Sequence, residues 1–556
     1  LAKSLGGGTA TVMLEDLTKA DLVVLIGANP ACNHPRLMAH LVDLKRRGGK
    51  VVVINPFEEL GLKRFKVPSD LRSLLFGSKI ADLYLQPHCG GDLAFLKAAA
   101  AKIYRDGHAD MHFLAQYCNN HEAFCADLEA EDIDHLLEKS GISREGLAQF
   151  CETLADSRKT IFAWAMGITH HQHGVENVQM IANLALMRGM VGKPGAGLLP
   201  IRGHSNVQGV GTVGVVPRLK PAMAENLARH LHLDLPESPG LDTFHCMQAA
   251  HRGEMDFAVL LGGNLYAANP DLKWAGEALR NIPFTLFVST TLNLGHIHGH
   301  GRAALILPVR TRDEEAQATS QESMFNFVRL SLGGNPPPHA SLPSETAIFA
   351  RVGKELLGDQ PVPWSKLHDH REIRNFIAQT VPNMHPAAKL EKEEFTIPGR
   401  IFHQPRFNTE NGKANLAILS PPDARPAANA FNLTTFRSEG QFNTIIYEDE
   451  DLYRGVTHRQ VVFVNPQDLA DLGLCEKDWA WVESQASKMR VQAIEAPIRR
   501  GNVAMYFPEA NALVPGITDP VSRTPVFKRI PVRLYPAETS ATAATTPAAE
   551  KATAAK

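Results

Sequence analysis

A strand, a helix and a second strand follow one another closely near the start of this chain, and no other feature limits the possible folds as much. DLVVLIG, from Asp21, is a continuous apolar run typical of a strand buried on both faces. ANPACNHP is predicted as a loop, RLMAHLVDLKRRGG has the apolar spacing of an amphipathic helix, and KVVVINP is a second buried strand. Strands joined through a helix lie parallel, so this segment predicts an α/β fold.

Similar patterns continue along most of the chain. ADLYLQPHCGGD contains a short strand, a largely helical stretch runs to Ser157, and TIFAWAMG returns to the sheet. After Gly253, the runs MDFAVLLGGN, FTLFVSTT and AALILPV repeat the signals of a parallel sheet, whose earlier strands are expected upstream of Leu1. From Phe431 the runs VVFVNP, WAWVES, VAMYFP and IPVRLYP are short and β-rich, which is typical of a barrel.

These patterns predict an α/β protein with two doubly wound nucleotide-binding domains, the second incomplete, and a C-terminal β-barrel domain. The predicted bounds are residues 1–203 for the first domain, 204–425 for the second and 426–536 for the barrel. Residues 537–556 are rich in Ala and Thr and have little to bury, so a disordered tail is expected there.

Charge, cysteine usage and hydropathy exclude several classes of protein. The 556 residues carry a formal net charge of −2, so no overall positive field attracts nucleic acid or an anionic membrane. No apolar run is long enough to predict a membrane span. The 7 cysteines are scattered and include no C-x-x-C pair, which favours reduced thiols in a cytoplasmic protein over disulfides or a zinc site.

Glycine and short polar side chains stand where predicted strands end. The segment from Gly27 to Pro30 follows the first strand, and Gly262 to Asn264 follows a strand of the second domain. Such residues let a phosphate or ribose approach the backbone at the carboxyl edge of a parallel sheet. Neither segment is a G-x-G-x-x-G, so a plain NAD site is not supported. Each alone is best explained as a tight turn, but two copies favour paired nucleotide sites.

Other strand ends carry the same kind of residue, at Asn55-Pro56, at Gly90-Gly91-Asp92 and at Ser289-Thr290. The carboxylate of Asp92 could accept hydrogen bonds from a guanine edge or from ribose hydroxyls. Capping of a helix is an equally good explanation for Asp92.

The most informative stretch is WAMGITHHQHG followed by GKPGAGLLPIRGHSNVQGVGTVG. Glycine-rich backbone alternates there with Arg202, His204, Ser205, Asn206 and Gln208. This is more hydrogen-bonding capacity than a connection requires, and it suits a polyanionic ligand rich in heteroatoms.

At this stretch the chain resembles the molybdenum and tungsten oxidoreductases that bind two pterin-guanine-dinucleotide cofactors, which include formate dehydrogenases, nitrate reductases and dimethyl sulfoxide reductase. L-I-G-A-N-P, A-M-G-I-T-H, P-I-R-G-H-S-N-V-Q-G, L-G-G-N, V-S-T-T and T-F-R-S-E-G-Q-F-N-T occur in the family order, so the resemblance runs from Asp21 to Leu534. R-G-H-S-N-V-Q-G together with Y-R-G-V-T-H-R is most similar to the soluble formate dehydrogenase alpha-subunit-like oxidoreductases of bacteria.

The resemblance implies three groups of cofactor-binding residues. Those expected to line one cofactor are Gly27, Asn29, Pro30, Asn33, Asn55, Pro56, Asp92, Met166, Gly167 and His170, with Gly90 and Gly203 as further cofactor contacts. Those expected to line the other are Gly263, Asn264, Ser289 and Thr290. The barrel residues expected to close over the pterins are Arg437, Glu439, Asn443, Thr444, Asn511 and Lys528.

The chemistry that the resemblance implies is oxidation of formate to carbon dioxide at molybdenum or tungsten, held by bis-molybdopterin guanine dinucleotide. Arg202 is expected to orient the carboxylate and His204 to assist nearby. The family's first segment, which supplies the metal's protein ligand and in many members a [4Fe-4S] site, is absent, so no metal ligand is assigned and an N-terminal truncation is predicted. This fragment alone is expected to be inactive. The implied partners are formate and an electron-transfer protein.

Three alternatives stay open. A cofactor-free structural subunit can share this fold, although Arg202, Asn206, Arg437 and Lys528 would then face an empty cleft. A related reductase would act on an oxyanion or an oxide instead of formate. A thiamine-diphosphate enzyme also has strands that end in G-x-N-P, but the T-F-R-S-E-G segment disfavours it.

Two further motifs have ordinary explanations. His296, His298 and His300 alternate in GHIHGHGR, and an extended strand would turn the three imidazoles to one face where a metal could bind. Exposed loop histidines near a phosphate-binding turn are the favoured interpretation. The acidic run EDEDLYR, from Glu448, is predicted to be a solvated face.

Overall fold

The computed structural model describes residues 1–67, 70–441 and 443–537. The predicted disordered tail therefore lies outside the described residues, apart from Ala537. Within the described part, parallel sheets flanked by helices precede a closed barrel, which confirms the predicted fold class.

The first α/β unit is built around a parallel sheet. Its strands are β1 (Leu22–Ile26), β2 (Lys50–Ile54), β3 (Arg64–Phe65), β4 (Ser78–Lys79), β5 (Leu83–Leu85), β6 (Cys118–Asn119), β7 (Thr160–Trp164) and β8 (Gly197–Pro200). Its helices are α1 (Ala2–Leu5), α2 (Pro30–Asn33), α3 (Pro35–Arg46), α4 (Leu60–Lys63), α5 (Leu71–Phe76), α6 (Asp92–Arg105), α7 (Met111–Tyr117), α8 (His121–Ala130), α9 (Ile133–Ser140), α10 (Arg144–Asp156), α11 (Met166–Thr169) and α12 (Gly174–Met187).

Strand β1 lies at the centre of this sheet, whose order is β5-β2-β1-β7-β8. Leu22 pairs in parallel register with Lys50 of β2 and with Thr160 of β7. Alternate β1 residues pack in two separate core clusters, Val24 in one and Val23 in the other. Because both faces are covered, the strand is apolar without interruption, as the sequence predicts.

One predicted loop contains a turn of helix. Helix α2 follows β1 because Asn29 caps it, accepting a hydrogen bond from Cys32 N at 3.4 Å, and because Pro30 occupies its first turn. Helix α3 begins at Pro35, so only His34 separates the two helices.

The second α/β unit contains a shorter parallel sheet and an antiparallel one. Its strands are β9 (Phe257–Leu261), β10 (Phe284–Ser289), β11 (Ala303–Pro308), β12 (Thr319–Glu322), β13 (Phe327–Ser331), β14 (Phe395–Thr396) and β15 (Ala414–Asn415). Its helices are α13 (Val207–Thr212), α14 (Pro221–Leu231), α15 (Thr243–His251), α16 (Leu265–Ala268), α17 (Leu272–Arg280), α18 (Gly295–His298), α19 (Glu345–Leu357) and α20 (His370–Thr380).

The parallel sheet of the second unit has the order β11-β10-β9, with β9 at its edge. Phe257, Val259 and Leu261 of β9 are 51%, 41% and 51% exposed. Within the described residues, β9 is therefore an exposed edge strand, and the incompleteness of the second domain stays a prediction. Strand β15 pairs instead with β6 of the first unit, and Leu416 packs in the first unit's core. The predicted domain bounds stay a prediction.

The histidines of GHIHGHGR do not form an extended strand. His296 and His298 lie in the helical turn α18, so the three imidazoles do not share a strand face. Among the described residues, no group of three or more histidine, cysteine or acidic side chains could hold a metal ion.

The C-terminal domain is a closed barrel. Its strands are β16 (Phe431–Phe436), β17 (Val461–Val464), β18 (Trp479–Glu483), β19 (Lys488–Glu495), β20 (Asn502–Tyr506) and β21 (Ile530–Pro536), and its helix is α21 (Pro466–Asp471). The strand order around the barrel is β16-β20-β17-β19-β18-β21. Leu433, Val482 and Val503 belong to its apolar core.

Short 3-10 helices occur at Leu14–Thr18, Arg312–Glu314, Trp364–Lys366, His385–Lys389 and Glu509–Leu513. None of the helices in the described residues is both long and apolar enough to cross a lipid bilayer.

Candidate functional site

A cavity of about 520 Å³ lies between the carboxyl end of the first parallel sheet and the barrel. The loops that follow β1, β2, β7 and β8 line it, together with the end of β16 and the loop before β21. Carboxyl ends of parallel strands meet at one edge of a sheet, which brings together residues that are distant in sequence. The sequence-predicted residues that line this cavity are Gly27, Asn29, Asn33, Asn55, Pro56, Asp92, Met166, Gly167, His170, Arg202, Gly203, His204, Arg437 and Lys528.

Two glycines allow the loops after β1 and β7 to pack closely at the floor of the cavity. Gly27 has a φ of +56°, and Gly167 N donates a hydrogen bond to Gly27 O at 3.0 Å. A Cβ on Gly167 would lie only 2.4 Å from Gly27 O, so no larger residue fits there without a backbone shift. The loops after β1 and β7 are therefore held in contact, and backbone faces the cavity.

Three cations face the cavity without a carboxylate partner. Arg202, Arg437 and Lys528 form no ion pair within residues 1–67, 70–441 and 443–537. Arg202 Nη2 donates to Gly8 O at 3.3 Å, and the Arg437 guanidinium lies 5.7 Å from the Phe507 ring centre. Burial lowers the pKa of both arginines and lowers the pKa of Lys528 to about 8. Since these groups only donate hydrogen bonds, the cavity suits an anion.

Neutral histidines complete the polar wall. Burial lowers the pKa of His34 to about 4 and the pKa values of His170 and His171 to about 3. His171 Nε2 lies 2.8 Å from Gly167 O, and the His170 ring lies 5.2 Å from the Phe527 ring. At neutral pH these imidazoles carry no charge and can each donate or accept a hydrogen bond.

Asp92 is an acidic group on the same wall. It is 5% exposed and occupies the first turn of α6, and burial raises the pKa of its carboxyl to about 7. This position is compatible with both roles considered for Asp92, helix capping and hydrogen bonding to a guanine or ribose, because a residue at the start of a helix can also face a ligand. An uncompensated buried carboxyl favours the neutral form unless a ligand supplies hydrogen-bond donors.

A buried ion-pair network fixes the barrel against the first unit beside the cavity. Arg454 Nη2 donates to both carboxylate oxygens of Glu59 at 2.8 and 2.6 Å, and Nη1 donates to Asp451 at 2.6 Å. The Arg454 guanidinium also lies 4.3 Å from the ring centre of Phe436, which lines the cavity. Asp451 is 1% exposed, so the prediction of a solvated face is wrong for this residue. Burial is possible because Arg454 and Tyr506 satisfy its carboxylate.

Two residues predicted for the first cofactor do not line this cavity. Pro30 is instead the first residue of α2. Gly90 has a φ of +88° and lines a neighbouring cavity of about 340 Å³, where a Cβ would lie 2.6 Å from Arg529 Cδ.

The residues predicted for the second cofactor, and the other predicted barrel residues, are not among those that line this cavity. They are Gly263, Asn264, Ser289, Thr290, Glu439, Asn443, Thr444 and Asn511. Asn264 Nδ2 donates to Thr444 O at 3.4 Å, and Asn511 Nδ2 donates to Ala267 O at 2.7 Å. These contacts join the second unit to the barrel. The cofactor role of all eight residues stays a prediction.

Several cavity residues were not among the predicted cofactor-binding or catalytic residues. They are Cys32, His34, Glu59, Cys89, His171, Thr434, Thr435, Phe436, Gln441 and Phe507. His171 lies inside the stretch WAMGITHHQHG, and Thr435, Phe436 and Gln441 lie inside T-F-R-S-E-G-Q-F-N-T, so these motifs were the available signal. The thiols of Cys32 and Cys89 have no distinguishing spacing, and burial raises the pKa of each to about 12.

Comparison with known proteins gives a consistent result. A family model described as Molybdopterin oxidoreductase matches residues 5–325, and one described as Molydopterin dinucleotide binding domain matches residues 431–531. An uncharacterized oxidoreductase of Mycobacterium tuberculosis is 35% identical to 96% of this chain, which covers 72% of that protein. Protein YdeP of Escherichia coli is 34% identical, with 96% of this chain and 75% of that protein covered.

A more distant relative is a formate dehydrogenase alpha subunit of Methanocaldococcus jannaschii, which is 23% identical over 95% of this chain and 78% of its own length. Among solved structures, acetylene hydratase from Pelobacter acetylenicus has the same fold, with a TM-score of 0.70, 14% identity, and 96% and 80% of the two chains covered. The first family model alone spans more than half of the chain, and the residues that line the cavity lie within the two matched regions. The chain belongs to the molybdopterin oxidoreductase family.

Proposed function

We propose that this chain binds bis-molybdopterin guanine dinucleotide, carrying molybdenum or tungsten, and oxidises formate to carbon dioxide. The observation that supports this most directly is the set of three cations, Arg202, Arg437 and Lys528, that face one cavity without a carboxylate partner in the described chain. A cofactor with phosphates and a negatively charged substrate would both compensate this charge.

The residues present fit such a cofactor. Asn33 Nδ2 is buried and has no hydrogen-bond partner among the described residues, and its side chain lines the cavity. An unsatisfied buried polar atom costs roughly 1 to 3 kcal/mol, which a ligand rich in oxygen and nitrogen would recover. The close approach of Gly27 and Gly167 leaves backbone exposed to a bulky group, as a dinucleotide requires.

Each wall of the cavity has a proposed role toward the cofactor. The loops with Gly27, Asn29 and Asn55 would hold one dinucleotide, and Asp92 would accept hydrogen bonds from its guanine or ribose. Arg437 and Lys528 would hold its anionic part from the barrel side. The residues proposed for a second dinucleotide are Gly263, Asn264, Ser289, Thr290, Glu439, Asn443, Thr444 and Asn511.

Arg202 is proposed to bind the substrate carboxylate. Formate loses one proton and two electrons when it becomes carbon dioxide, and the bound cofactor supplies a metal that accepts the electrons. An arginine guanidinium presents two parallel donors to a carboxylate, which lysine cannot do. His204, two residues along the same loop, would assist, and the released proton would pass to solvent. The electrons would leave through an iron-sulfur cluster to a partner protein; no residue of this sequence is assigned to that cluster.

The formate dehydrogenase subunit among the relatives supports the choice of substrate. A cofactor-free structural role is less consistent with the cavity, because three desolvated cations would then destabilise the fold without a function.

The decisive experiment uses the protein with its native N-terminus, produced with molybdenum available. We expect about two guanine nucleotides per metal atom after acid release, since each of two α/β units would hold one. Arg202→Lys should lower formate turnover roughly 100-fold without changing metal content, because a transition-state contact is lost. Arg47→Lys is a matched control, since Arg47 Nη2 also donates to a backbone carbonyl, Leu17 O at 2.9 Å, but lies outside the cavity.

Two results would contradict the proposal. NAD or thiamine diphosphate in place of guanine nucleotides would reject the cofactor. Unchanged formate turnover in Arg202→Lys would reject Arg202 as the carboxylate-binding residue.

A further inference from the structure

His34 is a cavity residue for which no role has been assigned. It lies between α2 and α3, at the N-cap of α3 with a φ of −144° and a ψ of 53°. Its Nδ1 is buried and has no hydrogen-bond partner among the described residues, although the side chain lines the cavity. Buried imidazole nitrogens are normally hydrogen-bonded, so a nitrogen without a protein partner beside a cavity can bind a ligand or a water molecule.

The loop that carries Arg202 passes directly against this imidazole. A Cβ on Gly203 would lie 3.0 Å from His34 Nε2, so the backbone between Arg202 and His204 contacts the ring edge. Glycine at this position thus allows the two elements to approach. Arg202 and His34 line the same cavity, and the charge of Arg437 also acts on His34.

The groups that face His34 are cationic or neutral. Burial is the main cause that lowers the pKa of His34 to about 4. Two further contributions come from His204, on the loop after β8, and from Arg437, on the loop after β16. Arg202 adds another cation to the same cavity wall, while Asn33, its neighbour in α2, is uncharged and contributes the unpaired donor Nδ2. An anion in the cavity would offset these cations and make the charged imidazole favourable.

His171 provides a useful contrast. It is also buried and neutral, but its Nε2 lies 2.8 Å from Gly167 O, so that nitrogen is already used in holding the loop after β7. Nδ1 of His34 has no such partner among the described residues.

We propose that His34 contacts the oxyanion substrate directly: its Nδ1 hydrogen bonds an oxygen of the anion, and the imidazole takes up a proton from solvent as the anion binds. No bond of the substrate breaks in this step. The inference rests on the proposed function only in naming formate as the anion. His34 would then be a second residue in contact with the carboxylate. Unlike the charge of Arg202, the charge of His34 would be present only when the anion is bound.

The test measures proton uptake during anion binding to cofactor-loaded protein, by titration calorimetry in two buffers with different ionisation enthalpies. The probes are sodium formate and sodium azide, a small anion that is not a carboxylate. At pH 6 we expect about one proton taken up per anion bound, and affinity should fall by up to about tenfold per pH unit above the pKa of free His34.

Two substitutions separate contact from charge. His34→Asn places an amide nitrogen near the Nδ1 position and is a favoured N-cap residue for α3, so it should fold, bind formate and take up no proton. His34→Gln places its amide nearer Nε2, so it should lose proton uptake and bind formate at least tenfold more weakly. His40→Gln, on α3 outside the cavity, is the control and should behave as the wild type.

Each outcome has a definite meaning. Proton uptake that survives both His34 substitutions, or that is absent in the wild type with either anion bound, overturns the proposal. Loss of uptake in His204→Gln but not in His34→Asn assigns the proton to His204 and also overturns it. Uptake with azide, lost in His34→Asn, in a protein that does not bind formate supports the role of His34 while rejecting formate as the substrate.

Discussion

Replacing Asp92 by asparagine should stabilise the cofactor-free protein in a way that depends on pH. The carboxyl is 5% exposed, and its burial raises the pKa from 3.8 to about 7. The folded state therefore holds a proton that the unfolded state has lost between these two values. Stability falls as pH rises from about 4 to about 7 and then stays level. The shift corresponds to at most about 4 kcal/mol, since one pKa unit is about 1.4 kcal/mol.

Asparagine has nearly the same shape and does not titrate, so Asp92→Asn should avoid this penalty. We expect similar unfolding free energies for the two proteins at pH 4.5 and an advantage of about 2 to 4 kcal/mol for Asp92→Asn at pH 8. Urea unfolding of cofactor-free protein at both pH values measures the difference. Asp156→Asn is the control, because Asp156 is an aspartate with a 78% exposed side chain, and it should show no comparable gain.

A ligand reverses the expected order. If Asp92 accepts hydrogen bonds from the bound dinucleotide, the loaded wild type should retain guanine nucleotide more strongly than loaded Asp92→Asn. An equal effect of Asp92→Asn at pH 4.5 and pH 8 would show that the carboxyl is not desolvated, and the interpretation of this wall of the cavity would be wrong.

Two further substitutions test the cavity floor and the open sheet. Gly167→Ala should destabilise the protein by about 1 to 3 kcal/mol and reduce the amount of bound guanine nucleotide, because the added Cβ would lie 2.4 Å from Gly27 O. Gly211→Ala is the control, because a Cβ at that position would have no atom within 4 Å. Equal losses in the two variants would reject the steric argument. Val259→Lys should lower the binding of a hydrophobic dye while changing the unfolding free energy by less than about 1 kcal/mol, because Val259 is 41% exposed at the edge of its sheet. An unchanged dye signal would show that this strand is not the exposed apolar surface.

The fold was predictable wherever local patterns determine it. The uninterrupted apolar runs of β1 and β2, joined through α3, require a parallel sheet, and the structure has that sheet in register. The helical turn α2 was missed because it is 4 residues long and is stabilised by a cap at Asn29 and by Pro30, not by apolar periodicity. The histidines of GHIHGHGR were ambiguous for a similar reason, since a single turn such as α18 leaves no periodic signal.

The candidate site was predictable only where residues adjoin strand ends. Gly27, Asn55 and Arg202 follow strands of one sheet, so their convergence follows from topology. Phe507 and Gln441 reach the cavity only because the barrel packs against the first unit, and no local pattern encodes that contact. The pairing of Glu59 with Arg454 joins residues 395 positions apart, and it could not be predicted from either segment alone.

That ion pair also explains how a cavity with uncompensated cations can persist. Burial shifts both groups toward their neutral forms: it lowers the pKa of Lys528 to about 8 and raises the pKa of Asp92 to about 7. Separating the barrel from the first unit would hydrate both groups, but it would also break the buried contacts of Arg454 with Glu59 and Asp451. Removing one partner of such a pair typically costs about 3 to 5 kcal/mol. The network therefore holds the barrel against the first unit, so an arriving anion meets partly buried cations already in position and gains more from each of them than it would in water.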